Sequence, residues 1–148
     1  MVPLSNSIIK LKSDLGILID DKGKKIVDVQ ITTLNDELIV LDENGDELKY
    51  SINENGKPNS RVQNIQKTLF NEKKKLIENC LFGVDINSNS VKICRLRLWI
   101  ELLKNSYYTE SSDFVDLETL PNIDINIKVG NSLLSRYGSV SYTHLTLP

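Results

Sequence analysis

The chain has 148 residues, of which 40% are hydrophobic and 26% are charged, which is enough material for one globular domain. Its formal net charge of −2 excludes a global basic field, so any affinity for nucleic acid has to come from a local patch or from a region outside this chain. No run approaches the roughly 20 apolar residues of a membrane span, and no signal peptide pattern opens the chain, so a cytoplasmic protein without membrane contact is predicted.

The first part of the chain is predicted to form a helix and then an antiparallel β-meander. The helix is indicated by four apolar residues at helical spacing: Leu4, Ile8, Leu11 and Leu15. Gly16 follows as a C-terminal stop. From residue 26 to residue 52 the pattern changes to alternation, which predicts three strands. The Asn44–Gly45 pair indicates a tight turn whose two central residues both have positive φ. No internal repeat is apparent.

The middle of the chain then alternates between helix and strand. A helix over residues 61–78, capped by Ser60, is followed by "NCLFGVDI", residues 79–86, whose apolar run predicts a parallel strand covered on both faces. Residues 89–105 form a second helix, and "IDINIKVGN" ends the series as a strand. That second helix carries two apolar stripes: Val91, Cys94, Leu98 and Leu102, and Ile93, Leu96, Ile100 and Leu103. The order predicts an α/β fold with a doubly wound sheet, into which the meander, about residues 20–58, is inserted.

Several chemically capable side chains have structural interpretations. The basic run Lys73–Lys75 is predicted to be a solvated helix face rather than a phosphate site. Cys80 and Cys94 lack CxxC spacing and histidine partners, which predicts buried thiols in a reducing compartment and no metal site. Arg95 is expected on the polar side of its helix or paired with Glu101.

Asp85 is the candidate functional residue, because it ends the strand predicted within residues 79–86. Ligands of open parallel sheets bind beyond the carboxyl ends of the strands, where an acidic residue commonly accepts hydrogen bonds from ribose hydroxyls. The alternative is that Asp85 caps the next helix, whose dipole favours a carboxylate. The pattern alone leaves both interpretations open.

Two long blocks carry a family resemblance: "LFGVDINSNSVKICRLRLWIELL", residues 81–103, and "LETLPNIDINIKVGNSLLSR", residues 117–136. They closely resemble the middle of the catalytic domain of bacterial N6-adenine DNA methyltransferases from restriction-modification systems, including Type II enzymes with fused cleavage. "NSIIKLKSDLGIL" and "TLNDELIVLDENGDELKY" are similar to the first helix and to a β-insertion of that family. The resemblance implies a partial Rossmann-like, class I S-adenosylmethionine-dependent methyltransferase domain over residues 1–138. Double-stranded DNA and a fused or paired endonuclease are the implied partners.

The resemblance also implies roles for three residues. Asp85 matches the residue that holds the ribose hydroxyls of S-adenosylmethionine, and Ile86 matches the apolar neighbour that packs on the adenine ring. Asn131, in "VGNSLL", matches the position that reads the adenine, where the wider fold often has Asp. A neutral hydrogen bond from Asn131 is worth about 0.5–1.5 kcal/mol. Without the resemblance, Asn131 is interpreted as a turn residue beside Gly130.

Two motifs of that family do not occur in the chain. One is the glycine-rich D-P-x-x-G-x-G turn, and the other is the Asn-Pro-Pro-aromatic segment that holds a flipped adenine. No residue is therefore predicted to be catalytic, and the chain alone is predicted to be inactive, with methyl transfer expected of its parent protein. It is also predicted to be poorly stable by itself, because its sheet lacks the first strand and the strands beyond the third. The alternative is a non-catalytic binding module with a nucleotide fold. A dinucleotide-dependent oxidoreductase is disfavoured because no G-x-G-x-x-G precedes Asp85.

The C-terminal "VSYTHLTLP" does not continue the preceding pattern. It matches one reading frame of a transposase-end sequencing adaptor, so residues 139–148 are expected to be an artefact of cloning or assembly. The single histidine, His144, falls within them and receives no role.

Overall fold

The computed structural model describes residues 2–131, with side chains from residue 4 onward. The expected adaptor segment and His144 lie outside the described residues. The elements, in chain order, are α1 (Val2–Asp14), β1 (Gln30–Leu34), β2 (Glu37–Leu41), α2 (Ser60–Cys80), β3 (Gly83–Asp85), α3 (Ser88–Leu103), a 3₁₀ turn (Glu110–Ser112) and β4 (Ile127–Val129). No helix in this described range is long and apolar enough to cross a membrane.

Helix α1 confirms the first predicted helix and its glycine stop. Gly16 has φ +70°, and the N–H of Ile17 donates to the carbonyl of Lys12, so a carbonyl at the helix end has a backbone partner. The face of α1 that packs against the rest of the chain carries Asn6 and Ile9, which are buried. Three of the four residues whose spacing revealed the helix are more than half exposed: Leu4, Leu11 and Leu15.

The predicted three-stranded meander is a two-stranded hairpin in the structure. β1 and β2 pair antiparallel, from Gln30 opposite Leu41 to Leu34 opposite Glu37. The third strand is reduced to one bridge, between Leu41 and Glu47. Beyond that bridge the chain turns toward α2, where the Tyr50 hydroxyl donates to Gln63 Oε1 over 2.5 Å, so the segment does not continue along β2.

Three copies of one five-residue turn occur at residues 20–24, 42–46 and 53–57, which corrects the expectation of no repeat. In each, the Oδ1 atom of the first residue accepts the backbone N–H groups of the third and fifth residues. The N–H of the first residue donates to the carbonyl of the fifth, and the fourth is a glycine with positive φ. Asn44 lacks positive φ, so the predicted turn geometry is wrong there; Asn35 and Asp36, with φ of 51° and 63°, adopt it instead.

Helix α2 joins two hydrophobic cores. Its N-cap is Asn59, one residue before the predicted Ser60, and its neighbours Leu69 and Phe70 pack into different cores. The first core consists of Ile9, Leu18, Ile26, Val29, Ile31, Val40, Ile65 and Leu69. The second consists of Phe70, Ile77, Val91, Leu98, Leu102, Tyr107, Ile123 and Ile127. The core on the hairpin side and the core on the parallel-strand side therefore both include residues of α2.

The C-terminal half contains the predicted strand, helix, strand order. β3 and β4 form a parallel pair connected through α3, but each strand has only three residues. The predicted strand over 79–86 is shortened because α2 continues to Cys80, which is consequently exposed rather than buried. Val84 and Ile86 are more than half exposed, so the prediction of burial on both faces is also wrong. In the described residues β3 has one neighbouring strand, and this leaves much of its surface uncovered.

Helix α3 confirms one of its two predicted apolar stripes. Val91, Leu98 and Leu102 are buried in the second core, with Cys94 packed against it. The other stripe is exposed: Ile93, Leu96, Ile100 and Leu103. These residues lie on the opposite side of the helix from the core, since positions that differ by three or four residues share a face.

A buried ion pair connects α2 with α3, so the prediction that Lys73 belongs to a solvated face is wrong. Glu101 pairs with Lys73 and Lys104, so the predicted alternative of an Arg95–Glu101 pair is wrong as well. Lys73 is 1% exposed, and its Nζ lies 2.8 Å from Glu101 Oε1. Lys104 Nζ lies 3.3 Å from the other carboxylate oxygen of Glu101, and Asn6 Nδ2 donates to Oε1 over 3.4 Å. Burial lowers the pKa of the Lys73 ammonium. Burial alone would raise the pKa of the Glu101 carboxyl, but the hydrogen bond and charge of Lys73 and then of Lys104 lower it.

Asn126 caps the C-terminal end of α2 from a distant part of the chain. Its Nδ2 contacts the carbonyl oxygens of Ile77, Glu78 and Leu81 at 3.2, 2.7 and 3.1 Å. Asn126→Ala is expected to lower the free energy of unfolding by about 1–3 kcal/mol, because three carbonyls at the end of α2 lose the donor of a buried side chain. Urea unfolding measures this effect. Asn55→Ala, at an exposed position far from α2's C-terminal end, is the matched control, and an equal loss in both variants would contradict the capping role.

Candidate functional site

Asp85, Ile86 and Asn131 come together at the carboxyl ends of β3 and β4. Asp85 lies opposite Val129 in the parallel register, and the N–H of Gly130 donates to the Asp85 carbonyl over 3.0 Å. Asn131 follows directly, so residues separated by more than forty positions in the sequence occupy one edge of the sheet. This edge is where open parallel sheets bind ligands.

The carboxylate of Asp85 shapes the turn before α3 without being its cap. Oδ1 of Asp85 accepts the backbone N–H of Asn87 over 2.8 Å, and Asn87 is the N-cap, accepting the N–H of Asn89 over 2.9 Å. The capping alternative therefore applies to Asn87. Among the described residues Oδ2 of Asp85 has no hydrogen-bond partner, and the side chain is exposed. One carboxylate oxygen is held in position and the other is available to a diol.

An exposed apolar surface adjoins this carboxylate. Ile86, just after β3, is 74% exposed, and Val84 within β3 is 53% exposed. A Cβ atom added to Gly130 would lie 3.2 Å from Cγ1 of Val84, so a glycine allows the end of β4 to lie close against β3.

Arg95 positions β4, a role that the sequence pattern did not indicate. Its Nε and Nη2 atoms donate to the carbonyl of Ile127 over 2.9 and 2.5 Å, and Nη1 lies 3.4 Å from Asp124 Oδ1. The guanidinium thus ties α3 to the strand that leads to Asn131. The sequence predicted Arg95 on the polar side of its helix or paired with Glu101, whereas its partners, the Ile127 carbonyl and Asp124, lie about thirty residues later in the chain.

The described residues contain no group of three or more histidine, cysteine or acidic side chains that could hold a metal ion. The clefts of about 640, 360, 310 and 240 Å³ are lined by α2 and by the segments before it, with the loop that follows α3. Asp85, Ile86 and Asn131 line none of these clefts and lie on an open surface. The site is consequently defined by its position at the strand ends rather than by a cavity.

Comparison with known proteins relates the chain to restriction enzymes. No family model and no solved structure matches it. Over 73 residues it is 38% identical to a protein of Methanocaldococcus jannaschii named as a type II restriction enzyme and methyltransferase; the match covers 45% of this chain and 5% of that protein. Over 85 residues it is 31% identical to a type II restriction enzyme and methyltransferase of Escherichia coli, covering 57% of this chain and 8% of that protein. The chain is thus similar to short segments of restriction-modification proteins with a methyltransferase part.

Proposed function

We propose that this chain is the nucleoside-binding part of a restriction-modification methyltransferase that transfers a methyl group from S-adenosylmethionine to adenine N6 in double-stranded DNA. The observation that carries the proposal is the meeting of Asp85, Ile86 and Asn131 at the carboxyl ends of two parallel strands. The names of the two relatives, which combine restriction with methylation, support the same function.

The three side chains suit the adenosine part of the cofactor. The available oxygen of Asp85 accepts hydrogen bonds from a ribose diol, and the exposed Ile86 covers one face of the adenine. Asn131 supplies an amide for the edge of the ring. The cofactor, when bound, supplies the methyl group.

Methyl transfer itself is assigned to the parent protein. This chain spans 5% and 8% of the lengths of its two relatives, and it carries neither the glycine-rich turn nor the Asn-Pro-Pro-aromatic segment. DNA and a fused or paired endonuclease are the proposed partners of that larger protein. The chain described here contributes the cofactor contacts and no catalytic residue.

Adenosine is the sharpest probe of this proposal, since it contains only the groups that the three residues contact. Titrating adenosine into ¹⁵N-labelled protein is expected to shift the amide resonances of Asp85, Ile86 and Gly130. Asp85→Asn is expected to weaken adenosine binding roughly 10- to 100-fold, because hydrogen bonds to a charged acceptor are worth about 1.5–3 kcal/mol. Asp116→Asn, at an exposed position in the loop after α3, is expected to leave binding unchanged.

Each outcome of this titration has a clear meaning. Equal binding by Asp85→Asn and Asp116→Asn, or shifts confined to other amides, would remove the basis for the cofactor site. Circular dichroism of both variants checks that the fold is retained. Adenosine binding by a chain whose parent does not methylate DNA would support the alternative, a non-catalytic module with a nucleotide fold.

A further inference from the structure

Two adjoining clefts, of about 640 and 240 Å³, lie where α2 begins. The first and third copies of the repeated turn form part of their walls, and Asp20, Lys24, Ser60 and Asn64 line both clefts. The repeat places Lys24 and Lys57 at equivalent fifth positions, so two exposed lysines from distant parts of the sequence face one cleft.

The lining of these clefts is a local basic patch on an acidic chain. Within the described part of the chain, its cations are Lys22, Lys24, Lys25, Lys57, Arg61 and Lys67. Two of them are neutralised: Arg61 lies 3.2 Å from Asp28, and Lys67 lies 3.0 Å from Asp21. The other four lysines have no carboxylate within 4.0 Å among the described residues.

Most carboxylates of the patch already have hydrogen-bond or ion-pair partners within the protein. Asp20 accepts two backbone N–H groups through Oδ1 and Asn64 Nδ2 through Oδ2. Its hydrogen bond from the Lys24 amide is the main reason that its pKa is lowered, with Asn64 and Lys22 adding to the effect against the opposing influence of burial. Glu110 is the remaining acidic residue on the wall. Phe114, with its ring half-buried, adds an apolar contact beside the lysines.

We propose that this patch binds the phosphate backbone of duplex DNA, with Lys22, Lys24 and Lys57 as phosphate contacts. The inference rests on the proposed function, which makes DNA the substrate of the parent protein. Lysines spread over two separate turns suit successive phosphates along a strand, since each ammonium acts as a point charge for one phosphate. A net charge of −2 for the whole chain leaves the rest of the surface unfavourable to DNA, so binding depends on this patch.

The test uses the full 148-residue chain and a fluorescein-labelled 20-base-pair duplex, with anisotropy measured at several salt concentrations from about 50 to 200 mM. The variant K22Q/K24Q/K57Q is expected to bind at least 10-fold more weakly at the lowest salt. Its slope of log affinity against log salt is expected to fall by roughly 0.9 for each phosphate that a lysine no longer neutralises. The control K49Q/K75Q/K92Q removes the same charge from exposed lysines that line neither cleft, and is expected to bind as the unaltered chain does.

The outcomes separate this inference from the proposed function. An equal loss in the two triple variants would show a general charge effect and overturn the patch, as would undiminished binding by K22Q/K24Q/K57Q or no binding by the unaltered chain. Adenosine triphosphate and unlabelled duplex are each tested as competitors of the labelled duplex. If adenosine triphosphate displaces the labelled duplex at a far lower concentration than unlabelled duplex does, the site binds a free nucleotide and the proposal is overturned. The adenosine titration at Asp85 reports on the cofactor site separately, so either result can fail alone.

Discussion

Glu101→Gln is expected to lower the free energy of unfolding at pH 7 by about 3–5 kcal/mol, because it leaves the Lys73 ammonium buried without its counter-ion. Lys73 is 1% exposed, and its other hydrogen-bond acceptor is the Glu101 carbonyl at 3.5 Å. Removing one member of a buried ion pair costs more than the pair contributes, since the remaining charge keeps its desolvation penalty. Urea unfolding followed by circular dichroism measures the change.

Glu47→Gln is the matched control, because Glu47 forms an exposed pair with Lys49 at 4.0 Å. Such surface pairs contribute about 0–1 kcal/mol, so this variant is expected to unfold almost as the unaltered chain does. Similar losses in the two variants would contradict the importance of burial.

The dependence of stability on pH provides a signature of Lys73 itself. Burial lowers the pKa of Lys73 in the folded chain below the ordinary 10.5 of the unfolded chain. Between the folded and the unfolded pKa the unfolded chain binds more protons, so stability rises with pH. In Glu101→Gln the partner that opposed this shift is lost, and the rise is expected to extend to lower pH. Unfolding at pH 7 and pH 9 is expected to show a larger gain for Glu101→Gln than for Glu47→Gln. Equal gains would show that Lys73 does not titrate with folding.

The Glu101 carboxyl makes stability depend on pH in the acid range. Its pKa is lowered in the folded chain from the ordinary 4.5, so its stabilisation is present above that value and is lost as pH falls through the folded pKa. The unaltered chain is therefore expected to lose stability in acid more steeply than Glu101→Gln does. Parallel acid titrations of the two proteins, monitored by circular dichroism, measure the difference.

Phe70→Ala is expected to cost about 3–5 kcal/mol, the range for removing a large aromatic side chain from a core. Phe70 is fully buried and meets Tyr107 edge to face, with ring centroids 5.4 Å apart. Its neighbour Leu69 is 1% exposed in the other core, and Leu69→Ala is expected to cost about 2–5 kcal/mol. Since α2 carries both residues, each variant is expected to unfold in one transition that includes the hairpin and the parallel strands.

Urea unfolding followed both by circular dichroism and by Trp99 fluorescence tests whether the two cores unfold together. Trp99 reports on the second core, where its Nε1 donates to the Pro121 carbonyl over 3.0 Å. A Leu69→Ala variant in which Trp99 retains the unaltered midpoint would show that the cores unfold independently. Val115→Ala, at a 73% exposed position, is the control. The same experiment on the unaltered chain tests the prediction of poor stability. A poorly stable chain would leave these variants unfolded even without urea, whereas a cooperative transition of several kcal/mol in the unaltered chain would contradict that prediction.

Local patterns in the sequence determined the helices and the strand order. The spacing of apolar residues located α1, α2 and α3, because a helical period can be recognised within about a dozen neighbouring residues. The position of Asp85 at a strand end followed from the same local patterns. They made Asn131 the last residue of a predicted strand, and only the family resemblance placed it after that strand, which in the structure ends at Val129. The repeated turn was equally local, since an Asp or Asn three residues before each glycine is visible in the sequence, but its equivalence emerged only from the hydrogen bonds.

Only the tertiary structure decided which faces of these elements are buried and which distant side chains meet. Lys73 could not be separated from Lys75 by composition, because the difference is that Glu101 of α3 faces one and solvent faces the other. Arg95 acquired its partner from β4, and Asn126 from the end of α2, across about thirty and forty-five residues. Such contacts depend on how whole elements pack, whereas periodicity reports only on the residues of one element. The sequence alone thus determined the three helices and the position of Asp85 at the end of a strand, and the packing of α2 against α3 decided the charges and contacts that hold these elements together.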